Sequence, residues 1–174
     1  MKKFFYFSII TLCLFGCKPI VQENETPIFS VKILQNGELI PVVNDTTIII
    51  NDFNVIDEDK IEFRFDGTIF PEEGFTLEVS TARNQFAVEN KTTDELCIRV
   101  CKGAQEEVYD DDYNVIDTIF PVTAIFDADI KDEQPQTFYA HCSPKVEGDH
   151  IITYDFHELG KPNANVKIKV IYRY

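Results

Sequence analysis

VKIKVIYRY, residues 166–174, alternates apolar and charged side chains with a period of two. Val166, Ile168, Val170 and Tyr172 fall on one side, with Lys167, Lys169 and Arg173 among the residues on the other. Successive side chains of a strand point to opposite faces, so this is the pattern of a strand with one face buried and one in water. A helix would scatter the same apolar residues around its circumference.

The same period recurs backward along the chain. KIEFRFD, residues 60–66, puts Ile61, Phe63 and Phe65 on one face, and 75–79 and 96–100 alternate likewise. Segments 28–34, 39–43, 46–50, 122–127, 137–142 and 150–156 also read as strands. Asn36-Gly37 separates the first two, a strong hairpin signal because both residue types tolerate positive φ. No window of eleven residues carries a convincing helical period. Many short strands punctuated by Asn, Asp, Gly and Pro predict an all-β, antiparallel sandwich with one or more long acidic loops.

The closing segment 138–172 combines a Gly-x-His-x-Ile-x-Tyr strand (Gly148 to Tyr154), a polar turn with Gly160 and Pro162, and the final strand. It resembles the last two strands of the immunoglobulin-like domains of exported bacterial lipoproteins. That resemblance implies an immunoglobulin-like sandwich, and it covers about a fifth of the chain. The 147 residues from Ile28 onward exceed the roughly 100 of a minimal domain of this kind, so extra strands or long loops are expected.

The amino-terminal residues have a different character. Met1-Lys2-Lys3 is followed by an apolar run from Phe4 to Phe15, broken only by Ser8 and Thr11. Twelve residues at about 1.5 Å of helical rise give roughly 18 Å, short of a hydrocarbon core about 30 Å thick. The run therefore reads as a signal-peptide h-region. Leu14-Phe15-Gly16-Cys17 closes it, with a branched aliphatic three positions before a cysteine and a small residue just before it. This resembles the lipobox of bacterial lipoproteins.

The resemblance implies cleavage between Gly16 and Cys17, a thioether from Cys17 to diacylglycerol, and an acylated new amino terminus. Cys13 does not fit, because Leu12 stands where the small residue should. The expected organisation is a signal peptide over 1–16, a lipidated tether over 17–27 and a single β-sandwich domain over 28–174. Lys18 after the anchor cysteine lacks the aspartate that signals inner-membrane retention in enteric bacteria, which implies an outer-membrane location with the leaflet open. The whole layout resembles Bacteroides-like envelope lipoproteins.

Charge narrows the partners. The chain carries 16 basic and 30 acidic residues, a formal charge of −14. Losing Lys2 and Lys3 with the signal takes it to −16. Phosphate backbones need clustered Lys and Arg, so no nucleic-acid partner is expected. The expected contacts are the membrane through the lipid anchor and a protein or glycan partner. No phosphate loop, GxSxG or HExxH motif occurs, and no cofactor is implied.

Between Glu106 and Glu133, ten acidic residues face the single base Lys131. Asp110, Asp112 and Asn114 offer oxygens at alternate positions, as calcium loops do, and are a candidate cation site. Val115 stands where such a loop turns on glycine, and no glutamate closes it, so a solvated acidic loop with no metal is the preferred reading. Three cysteines remain after processing. On a straight strand Cys97 and Cys101 would sit about 13 Å apart, beyond the roughly 7 Å a disulfide spans. The alternatives are a bridge from Cys97 or Cys101 to Cys142, or buried free thiols.

The tetrapeptide Asn-Val-Ile-Asp occurs at 54–57 and 114–117, and Thr-Ile-Phe-Pro at 68–71 and 118–121, with offsets of 60 and 50 residues. No single repeat accounts for both. The functional expectation is a lipid-anchored envelope protein acting as a non-catalytic binding or assembly module. Its alternatives are a component of conjugative-transfer or other envelope machinery, and a cysteine-dependent enzyme pairing a thiol with a histidine.

Overall fold

A computed structural model describes residues 26–58, 60–131 and 133–174. Cys17, Gly16, the signal segment and most of the tether lie outside the described residues. Fourteen strands follow in order: β1 (Phe29–Gln35), β2 (Glu38–Pro41), β3 (Thr46–Ile50), β4 (Asn54–Asp57), β5 (Lys60–Pro71), β6 (Phe75–Arg83), β7 (Thr93–Ile98), β8 (Val100–Gly103), β9 (Glu106–Tyr109), β10 (Val115–Ile119), β11 (Thr123–Ile130), β12 (Gln136–Ser143), β13 (Asp149–Glu158) and β14 (Asn165–Arg173). One short helix, α1 (Gln85–Glu89), joins β6 to β7.

The strands form two facing sheets and a separate hairpin. The first sheet runs β2-β1-β5-β12-β7-β8, with β4 also paired to β5. The second runs β11-β6-β13-β14-β3, and β9 with β10 forms a two-stranded sheet of its own. The alternating residues of the sequence become the core. Ile61, Phe63 and Phe65 are buried from the first sheet, and Val166, Ile168, Val170 and Tyr172 from the second. Phe138, Ala140 and Cys142 join them from β12, and Ile152, Tyr154 and Phe156 from β13. Each such aromatic contributes roughly 1.5–3 kcal/mol through burial. The Tyr154 and Tyr172 hydroxyls, both buried, bond to each other at 3.1 Å, which removes the cost of leaving them unpaired.

Local chemistry explains the turns that the sequence announced. Asn36 and Gly37 adopt φ of +51° and +82° between β1 and β2, as the hairpin requires. Four features depart from expectation. The β3 strand pairs parallel to β14, from Ile168 opposite Thr46 to Tyr172 opposite Ile50, whereas the sheets are otherwise antiparallel. A helix of five residues appears where none was predicted, and its start is fixed by Asn84, whose side chain accepts from the Ala87 N–H. The segment read as one strand over 96–100 reverses at Arg99. The acidic stretch after Glu106 contains the hairpin β9–β10 in place of a structureless loop.

Both Asn-Val-Ile-Asp copies fold alike. Each lies on an exposed strand with a register shift at its isoleucine, between Val55 and Asp57 and between Val115 and Asp117. In each the aspartate accepts the next backbone N–H at 2.8 Å, from Glu58 and from Thr118. The tetrapeptide thus coincides with a register irregularity at two otherwise unrelated places.

Gly67 sits in the middle of β5 with no room above it. A Cβ there would lie 2.6 Å from Phe138 Cε1 and 2.9 Å from the Lys32 carbonyl oxygen. Phe138 is hemmed in, packing edge-on against Phe65 at 5.7 Å and tilted against Phe156 at 5.1 Å. Gly67→Ala is expected to lower stability by about 1–3 kcal/mol in a urea titration.

Candidate binding faces

The cysteines are the first correction. Cys97 bonds to Cys101, and Cys142 is free and buried. No bridge to Cys142 forms. Arg99 takes φ of +65°, which folds β8 back along β7, so Cys97 and Cys101 become register partners with Cα atoms 3.9 Å apart. The straight-strand separation does not apply once the turn lies between the two residues. Cys142 points the other way, into the core beside Phe138 and Ala140, and burial pushes its thiol well above the usual range.

The disulfide lies on the outer face of the first sheet among other functional groups. The Tyr139 hydroxyl is 3.6 Å from the Cys101 sulfur. Arg64 stacks over the Tyr139 ring at 4.6 Å, and Tyr139 meets His141 edge-on at 5.1 Å. His141 Nδ1 pairs with Glu62 at 2.8 Å and stands directly across from Glu95.

The second face is the hairpin β9–β10. Tyr109 pairs with Val115 and Ile119 with Glu106, and among the described residues neither outer edge of this ribbon has a strand partner. Tyr109, Tyr113, Val115, Ile116 and Ile119 are all exposed, Tyr113 at 87% and Ile116 at 64%. From residue 103 to 130 there are eight acidic residues and no Lys or Arg. Aromatic and aliphatic side chains are here interleaved with carboxylates.

The candidate cation residues sit at the tip of this hairpin. Asp110 accepts from the backbone N–H of Asp112 at 2.9 Å and of Asn114 at 2.8 Å, and from Asn114 Nδ2 at 3.1 Å. The Asn114 bonds hold its carboxyl below the usual carboxylate range. Asp110 therefore serves its own turn, in the manner of an Asx cap, and Tyr113 completes it at φ of +63°.

The histidines are engaged in structural bonds. His150 is fully buried, and its Nε2–H donates to the Val146 carbonyl at 2.8 Å. Its Nδ1 must then accept from the Thr92 hydroxyl at 2.7 Å, which requires the neutral ring. Burial lowers its pKa, so protonation costs folding free energy that is lost as pH falls below the ordinary 6.5. In an NMR pH series the His150 ring resonances are expected to titrate below 6.5. His157 has Glu78 on one ring nitrogen at 2.8 Å and the Asp155 carbonyl on the other at 3.3 Å.

One site was invisible in the sequence. Arg83 at the end of β6 and Asp94 at the start of β7 are both buried and form an ion pair inside the sandwich. Arg83 Nε donates to Asp94 at 2.5 Å, and Nη1 donates to the Pro121 carbonyl at 2.6 Å. Burial raises the Asp94 pKa to about 6 against an ordinary 3.8, partly offset by Arg83. The pair ties the two sheets together at the root of the acidic hairpin.

No protein-family model and no curated protein matches this sequence. Among solved structures the fold is similar to the N-terminal domain of PorA, with a TM-score of 0.50 and 14% identity over 83% of this chain and 96% of that one. Weaker likenesses reach the ASH/PapD-like domain 7 of human CEP192 (TM-score 0.30, 10% identity, 97% and 96% covered) and a chain described as BspA_C_mut (0.36, 13%, 86% and 47%). At these identities the likeness concerns the fold alone. The fold and its sheet order define an antiparallel, immunoglobulin-like β-sandwich.

Proposed function

We propose that this chain is a non-catalytic binding or assembly module of the bacterial cell envelope, lipid-anchored through Cys17 and contacting a protein partner through the hairpin β9–β10. The observation that carries the binding role is the hairpin itself. A two-stranded ribbon outside both sheets, with five large apolar side chains exposed, buries little of its own and is suited to burial against something else.

Its chemistry favours a protein with a basic rim. Its carboxylates outnumber Lys91 and Lys145, the two bases that line a groove with β10, and disfavour an anionic membrane surface, or a second copy of a chain carrying −14 before loss of Lys2 and Lys3. Aliphatic residues outnumber the two tyrosines, and free strand edges invite main-chain pairing, which fits a protein better than a glycan. Assembly within conjugative-transfer or other envelope machinery is a narrower version of the same role. Outer-membrane placement rests on Lys18 after the anchor residue.

A cysteine-dependent enzyme draws no support from the site geometry. Cys97 and Cys101 are oxidised, Cys142 is buried, and no thiol is bonded to an imidazole among the described residues. Among the described residues no helix is long and apolar enough to cross a membrane.

A photo-crosslinking residue at position 113, introduced in the producing cell, tests the binding role. The expected result is one discrete protein adduct, lost when Tyr109, Val115 and Ile116 are changed to Ser. Adducts only to glycan, or none above those of a residue placed at position 174, would overturn it.

A further inference from the structure

We propose that reduction of the Cys97–Cys101 disulfide converts the β7–β8 hairpin into a zinc site, with both thiolates and the Glu95 carboxylate as ligands. The placement comes first. The two sulfurs and a Glu95 carboxylate oxygen all lie within 4.8 Å of one another. Cys101 lies on the edge strand β8, and Glu95 and Cys97 on its neighbour β7; Glu95 and Cys101 are exposed and Cys97 is covered. On an extended strand Cys-x-x-x-Cys spreads its ligands apart. Here the reversal at Arg99 brings them together, and the spacing falls within the two to four residues between paired cysteines in structural zinc sites.

The chemistry of the donors selects the metal. Two thiolates and one carboxylate suit a borderline-soft ion that accepts tetrahedral coordination, and Zn²⁺ has no geometric demand of its own beyond that. Calcium and magnesium prefer an all-oxygen shell and would gain little here. Three protein ligands leave a fourth position for water. His141, across from Glu95, is held by Glu62 through Nδ1 and is not counted as a ligand.

The reaction balances with an external dithiol as reductant. The dithiol attacks one sulfur, a mixed disulfide forms, and its second thiol closes to release a cyclic disulfide. Two electrons and two protons pass to Cys97 and Cys101, giving two thiols. Zinc binding then displaces those two protons to solvent. In the oxidised chain both sulfurs are bonded to each other and offer no thiolate, so the site exists only after reduction. Cys142 plays no part, since it lies in the core on the opposite face of its strand.

The test uses the full chain, reduced by a phosphine and compared with the oxidised chain. Zn²⁺ titration is followed by calorimetry, and Co²⁺ serves as a spectroscopic probe of thiolate coordination. The expected result is one ion per reduced chain, with a sulfur-to-cobalt charge-transfer band, and none for the oxidised chain. Cys97→Ser and Cys101→Ser should each abolish the band, Glu95→Gln should weaken binding about tenfold or more, and Cys142→Ser should leave it unchanged. Circular dichroism on each sample reports whether the sandwich persists. A folded, reduced chain that binds no metal, or one whose binding survives Cys97→Ser or Cys101→Ser, would overturn the proposal. Carboxyamidomethylation of the reduced wild-type chain provides a second check that needs no substitution in β7 or β8, and it should abolish binding.

Discussion

Asp94→Ala is expected to lose about 3–5 kcal/mol of stability at pH 7, a large share of the 5–15 kcal/mol a domain of this size possesses. The cause is Arg83. Its guanidinium is almost wholly buried beneath Pro121, and without Asp94 it faces only one carbonyl oxygen inside the sandwich. A charge left unpaired in such a place cannot reach water without opening the fold. Replacing both partners with apolar residues, as in Arg83→Met with Asp94→Leu, is expected to cost far less than Asp94→Ala alone, because no charge is then stranded. Urea denaturation of the two variants measures the difference.

The same pair sets a pH dependence with a definite sign. Native Asp94 holds its proton up to about pH 6, whereas in the unfolded chain it releases it near 3.8. The native state therefore binds more protons between these values, and this group's contribution to stability falls as pH rises through that window. Arg83→Met strengthens the effect by removing the only charge that favours ionised Asp94. Its cost is expected to be smaller at pH 5 than at pH 8, and an equal cost at both would show that Asp94 is ionised throughout.

Cys17→Ser is expected to shift the protein almost completely from the membrane fraction to the soluble fraction, or to leave it as an uncleaved precursor. The reason is the chemistry of the proposed anchor. A thiol is nucleophilic enough at neutral pH to form a stable thioether, and a serine hydroxyl is not. At about 0.8 kcal/mol per buried methylene, one acyl chain gives reversible attachment and a second makes it effectively permanent. With no chains attached, only the short apolar run of residues 4–15 remains, too short to span a bilayer. Cys13→Ser provides the contrast and is expected to change neither processing nor fractionation, because the proposed cleavage before Cys17 removes Cys13.

The fold was largely legible where burial and period coincide. Ile61, Phe63 and Phe65, and Val166 to Tyr172, announced their inward faces directly, and Asn36-Gly37 announced its turn. What escaped the sequence was decided by less local physics. The reversal at Arg99 uses a non-glycine residue at positive φ and carries no turn signature, so a disulfide between neighbours looked geometrically impossible. The β9–β10 hairpin was hidden because its carboxylates are interspersed among its apolar residues, and water-facing strands on both sides lack the clean alternation of a half-buried one. Parallel pairing of β3 with β14 joins segments more than a hundred residues apart, which no local pattern encodes. Arg83 and Asp94 carry no mark of burial in the sequence, since charged residues almost always face water, and only the assembled sandwich reveals that they face each other.

The candidate sites were correspondingly less visible than the fold. Asp110, Asp112 and Asn114 have the alternation of a cation loop, yet Asp110 spends its oxygens on the N–H groups of its own turn. Conversely, Glu95 gave no sign of proximity to two sulfurs until β8 folded back on β7. The anchor residue is the reverse case. The signal for the proposed anchor, Cys17, lies wholly in the order of residues 14–17, outside the described residues.

The central claim is that Cys17 carries the lipid that fixes this sandwich to the envelope. Mass spectrometry of the amino-terminal peptide of the native protein tests it most directly. The account predicts a peptide that begins at Cys17, with diacylglycerol on its sulfur and an acyl group on its amine. A mature chain with an unmodified Cys17, or one that retains residues upstream of it, would contradict it.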